Sequence, residues 1–179
     1  EAGAEILLHG TVAETVLDPQ PESGRPTVIG VRLATTGGPL TVGAERVIDA
    51  SGDGTVAFMA GETFDCGRPA DGLMQPASIM FRVGGVDHPA TMEARGGRGN
   101  YRFPGGSTWD QLTMAACALG ELPAHVGKVR TYHALRPGER YVNATQVNRI
   151  DGTDPFDLTR AELEGRRQVP PIMDFLRRH

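Results

Sequence analysis

Residues 46–61, RVIDASGDGTVAFMAG, set the tightest limit on what this chain can fold into, because an apolar run meets a glycine-rich turn and then a short apolar helix. Val47 and Ile48 read as the buried end of a strand over Arg46 to Ala50. Ser51-Gly52-Asp53-Gly54 then supplies small residues, with positive φ available where the chain must turn sharply. Helical spacing resumes from Thr55 to Ala60. A helix starting just after Gly54 would direct unpaired backbone N–H groups at the turn, which favours an anion such as a phosphate. Ser51 and Asp53 add side chains suited to hydroxyl and amide contacts. The same residues also fit a plain strand-to-helix connection in which Ser51 or Asp53 only caps the helix.

Two families that share this vocabulary fail at single residues. A phosphatase of the haloacid dehalogenase type needs Asp-x-Asp-Gly-Thr, and the place of its nucleophilic Asp is held here by Ser51, which cannot form the aspartyl phosphate. An EF-hand loop starting at Asp49 would place Ala60 where a bidentate Glu must bind calcium.

A third family matches over much more of the chain. Ala2-Gly-Ala-Glu-Ile-Leu-Leu-His-Gly-Thr-Val precedes the segment, and Val28-Ile-Gly-Val-Arg-Leu lies between. Downstream come Ala60-Gly-Glu-Thr-Phe, Gly67-Arg, Asp71-Gly and Gln75-Pro-Ala-Ser-Ile-Met-Phe-Arg-Val-Gly-Gly-Val-Asp. Tyr141-Val-Asn-Ala-Thr-Gln-Val-Asn-Arg and Asp157-Leu-Thr-Arg-Ala-Glu-Leu-Glu-Gly-Arg-Arg-Gln-Val follow in the same order. In sequence this resembles the FAD-dependent oxidoreductases with a glutathione-reductase-like flavin domain and a VIDATGDGDLA-type motif.

The resemblance implies a mixed α/β fold, in which an antiparallel β-meander leads into a strand of a Rossmann-like FAD-binding sheet and part of a mixed α/β substrate domain follows. On that reading residues 1–74 belong to the FAD-binding domain and 75–179 to the substrate domain. FAD is the implied cofactor, and Ser51, Gly52, Asp53 and Gly54 approach it, mainly through backbone amides, while Asp49 braces the turn. The implied activity is hydride or electron transfer on a small molecule. Gln75, Arg82, His133, Arg136 and Asn143 are candidate substrate-side groups, each with a structural reading beside the functional one, and no residue is assigned a catalytic role. The competing reading is a non-enzymatic binding or interaction domain of the same ancestry.

Flavoproteins of this class hold the FAD pyrophosphate on Gly-x-Gly-x-x-Gly after their first strand, with an acidic residue for the ribose. No such fingerprint is recognised here, and Gly96-Gly-Arg-Gly-Asn reads as a loop because neither a strand nor a helix flanks it. The expectation is therefore an internal piece of a longer flavoprotein that does not retain FAD by itself. An unpartnered strand edge at Arg46 to Ala50 would then favour a homo-oligomer.

With 18 Lys and Arg against 22 Asp and Glu, the net charge of −4 gives no electrostatic reason to bind nucleic acid or an anionic membrane. No apolar run approaches the ~20 residues of a membrane span, and a cytoplasmic location is expected, any N-terminal signal lying outside this sequence. Cys66 and Cys117 form no Cys-x-x-Cys pair and read as buried or incidental thiols. His9, His88, His125, His133 and His179 have no metal-ligand spacing, so no metal site is expected.

Strands are expected near Glu5 to Leu8, Thr11 to Leu17, Thr27 to Ala34, Leu40 to Val42, Ala77 to Val83 and Arg140 to Ile150, and a loop over Gly84 to Gly106. Ser107 or Thr108 caps a helix ending at Leu119 and Gly120, with Trp109 as a packing residue. Thr159 and Glu162 form a capping-box pattern for a last helix that should stop or kink at Pro170-Pro171.

Overall fold

The computed structural model describes residues 3–22, 24–86 and 105–179. Its mixed α/β chain forms two compact units, Glu1–Asp65 and Cys66–His179.

The first unit is built on the expected meander: β1 (Thr11–Leu17), β2 (Val28–Thr35) and β3 (Gly38–Gly43), antiparallel in the order β1-β2-β3. Thr36-Gly37 turns the chain so tightly that Thr35 and Gly38 pair directly, and Gly38 takes the positive φ of 107° that this turn requires. Gly30 lets β2 and β3 close up, since a Cβ there would collide with the Val42 carbonyl oxygen. The helix α1 (Thr55–Met59) lies against β1, where the buried Thr15 hydroxyl donates to Val56 O at 3.1 Å.

Two expected strands are corrected. Glu5 to Leu8 and Arg46 to Ala50 carry no ladder bonds among the described residues, and Ile48, expected to be buried, is 92% exposed. Both segments have strand-forming residues, but a strand exists only through its partner, and nothing within the described chain pairs with either.

The second unit holds β4 (Met80–Val83), β5 (Arg130–His133) and β6 (Arg140–Asn143), antiparallel in the order β4-β6-β5, with the helices α2 (Trp109–Ala118) and α3 (Pro155–Arg178). Thr108 caps α2 through a full capping box with Gln111, as expected of this position, and Gly120 follows with a φ of 74°. The core joins Val142 of β6, Val126 and Val129 before β5, Ala116 of α2, and Ile172 and Phe175 of α3. Trp109 does pack there, edge-on to Phe175 with ring centroids 5.4 Å apart, and its indole N–H donates to Val129 O.

The strands expected over Ala77–Val83 and Arg140–Ile150 are shorter than their alternation suggested. Beyond Met80 and Asn143 the ladder is interrupted, and Thr145 Oγ1 takes its place by accepting from Ile79 N at 2.7 Å and donating to Ile79 O at 3.0 Å. Pairing resumes only at the Ala77–Val147 bridge. The strand β5 was not expected, because four residues between loops carry too little alternation to be read.

The last helix starts earlier than expected and, of the stop or kink expected at Pro170-Pro171, does not stop there. Asp154 accepts from Phe156 N at 2.9 Å and Pro155 occupies the first helical position, so this pair outranks Thr159, whose hydroxyl donates back to Pro155 O, and Glu162, which pairs with Arg166. Pro170 and Pro171 lie inside the helix without ending it. Fully buried Ile172 and Phe175 hold the turns beyond them in the core. Just before the prolines, buried Gln168 accepts from Gln146 N at 2.8 Å and donates to Gln146 O at 3.0 Å, tying α3 to the chain after β6.

Candidate functional site

The Ser51–Gly54 turn is organised from below by Asp49. Its Oδ1 accepts from Ser51 N at 3.0 Å, and its Oδ2 accepts from Val56 N at 2.8 Å and Ala57 N at 3.0 Å. Ser51 Oγ accepts from Thr55 N at 2.9 Å. These bonds hold the Asp49 carboxyl at a pKa of about 2 instead of the ordinary 3.8, the Ser51 hydroxyl contributing most, followed by the amides of Ser51, Ala57 and Val56.

This changes what the turn can bind. The first amides of α1, expected to await an anion, are already taken by Ser51 and by an ionised carboxylate. One pattern escaped the reading of the sequence: Gly52-Asp53-Gly54-Thr55-Val56-Ala57 has the Gly-x-Gly-x-x-Ala spacing of a dinucleotide fingerprint. Asp49, however, fills the helix start where a pyrophosphate would sit.

What remains open is the crest. Gly52 and Gly54 have φ of 87° and 68°, and a Cβ built on either would meet nothing within 4 Å. The amides of Gly52, Asp53 and Gly54 donate to no acceptor among the described residues, and the exposed Asp53 carboxylate has no partner among them.

The substrate-side candidates are only partly brought together. Arg82 and Asn143 share one face of the second sheet, whereas His133 shares the opposite face with Arg140, its Nδ1 2.7 Å from Arg140 Nη1. Gln75 and Arg136 are exposed, outside the strands and helices. Cys66 is exposed and Cys117 partly buried, both as free thiols, and burial raises the Cys117 pKa. The Gly96 to Asn100 loop expected from sequence lies outside the described residues, as does most of Gly84 to Gly106.

A family model for FAD dependent oxidoreductases matches residues 1–179. The chain belongs to this family. FAD is accordingly the cofactor of this oxidoreductase. No curated protein and no solved structure matches it. The turn fits part of such a cofactor: two glycines without neighbours above them allow close approach, and three successive amides are ready to donate. Among the described residues of the FAD dependent oxidoreductase, no helix is long and apolar enough to cross a membrane.

Proposed function

We propose that the protein takes part in flavin-mediated hydride or electron transfer on a small molecule, and that Ser51, Gly52, Asp53 and Gly54 form one of its contacts with FAD. When bound, FAD supplies the redox chemistry, and the protein supplies position and electrostatics. The observation that carries this reading is the crest itself, where open space above Gly52 and Gly54 coincides with amides unpaired among the described residues, on a turn that Asp49 braces from beneath. Ser51 serves the turn by capping Thr55, while Gly52 and Gly54 give the cofactor access to the backbone.

Charge narrows which part of FAD belongs here. An ionised Asp49 at the helix start and a second carboxylate at Asp53 both oppose a phosphate, so the uncharged, hydroxyl-bearing part of the cofactor is the better match. Asp53 would accept from such a hydroxyl. We further propose that Arg46–Ala50, which pairs with no strand among the described residues, belongs to a Rossmann-like sheet.

The test is the FAD affinity of Asp53→Ala in the whole gene product, titrated from the apoprotein. Losing a hydrogen bond to a charged acceptor is expected to weaken binding about tenfold or more, with the unfolding midpoint unchanged. Wild-type affinity in the variant would remove Asp53 from the contact.

A further inference from the structure

The second sheet has an open face that the flavin turn does not account for. Cross-strand neighbours in an antiparallel ladder share a face, so the register sets Met80, Asn143 and Arg130 in one row and Arg82, Tyr141 and Tyr132 in the next. The other face turns Phe81, Val83 and Val142 into the core. Met80, Tyr132 and Tyr141 remain 54%, 40% and 37% exposed.

Two groups on this face have hydrogen-bond donors to spare among the described residues. Ser78 Oγ donates to Asn143 Oδ1 at 3.0 Å, since an amide oxygen only accepts, and the same hydroxyl lies 3.3 Å from Thr145 Oγ1. The Asn143 amide is thereby oriented with its NH₂ group free to donate, and that group meets no acceptor among the described residues. Directly across the ladder, the Arg130 guanidinium likewise meets no carboxylate or other acceptor among them. Arg82 differs, since Glu139 lies 3.5 Å from it, and an incoming anion is therefore drawn to the Arg130 end. A guanidinium beside an amide N–H pair suits the two oxygens of a carboxylate. The tyrosine rings and Met80 offer flat and polarisable surface to an apolar body next to it.

We propose that this face binds a small molecule carrying a carboxylate and a flat apolar body, with Arg130 and Asn143 on the carboxylate and Tyr132, Tyr141 and Met80 against the body. The inference rests on the reading of the protein as an oxidoreductase of small molecules and adds the chemical class of the ligand. Benzoate is the probe and benzyl alcohol, with the same ring and no charge, its control. Binding is read from the side-chain amide resonances of Asn143 and the Nε resonance of Arg130 as each probe is added to the chain.

Benzoate should shift these resonances saturably, about tenfold or more tighter than benzyl alcohol, and Arg130→Gln should remove about that advantage. If Arg130→Gln is unfolded by thermal melting, Asn143→Ala is measured instead, with a loss in the same direction. Absence of saturable shifts, equal affinity for the two probes, or wild-type affinity in a folded variant overturns the proposal. The readout needs no flavin, so the two readings fail separately. Loss of FAD binding with benzoate binding intact counts against the flavin turn alone, and the converse against this face alone.

Discussion

One carboxylate, that of Asp49, accepts from three backbone N–H groups and so decides the shape of the turn above it. Its role as a brace was legible in the sequence, because an Asp two residues before a Ser-Gly turn can accept from the chain ahead of it. Its consequence was not, since sequence cannot tell whether an Asp side chain folds forward onto a helix start or stays in solvent. A carboxyl whose pKa falls on folding, from 3.8 to about 2 here, adds stability that is fully present above the unfolded value and is lost as pH falls through the folded one. Asp49→Asn keeps the shape without the charge. Its deficit in thermal midpoint against wild type should be constant above about pH 4 and shrink as pH approaches 2. An equal deficit at pH 7 and pH 2.5 would mean that the carboxylate is not held in the folded state.

At the scale of elements, legibility followed the range of the forces involved. The meander and the α2 capping box depend on neighbours a few residues apart, and both were readable from turn residues and caps. The lack of a strand at Arg46–Ala50 and the interruption at Thr145 depend on partners distant in sequence, which no local pattern encodes. The helix α3 is the sharpest case, because two prolines expected to stop or kink it do not stop it, with Ile172 and Phe175 buried beyond them. Pro170 is exposed, so its ring contributes little packing to offset the missing N–H and the clash with the preceding turn. Pro170→Ala is therefore expected to stabilise the protein by about 1 to 3 kcal/mol, read by urea denaturation. A lower midpoint in urea would show that the proline shapes a contact the helix needs.

For the molecule as a whole, the family and its cofactor were legible from the order of short motifs, none decisive alone, while the anion-binding helix start read after Gly54 is not what the structure holds. That helix start is filled by Asp49, and the groups left over there among the described residues are the amides of Gly52, Asp53 and Gly54. The candidates for a substrate side were harder to group, because a face of a sheet is defined by register and not by sequence spacing, so Arg82 and Asn143 share a face while His133 lies on the other. The most direct test of the flavin-contact turn is the FAD content of Gly52→Val in the whole gene product, measured as flavin absorbance per polypeptide after dialysis. A side chain at Gly52 would fill the open space over the crest and strain a backbone at φ 87°, so flavin content is expected to fall about tenfold or more while the two sheets stay folded by circular dichroism. Full flavin occupancy in a folded Gly52→Val protein would contradict the assignment of this turn to FAD.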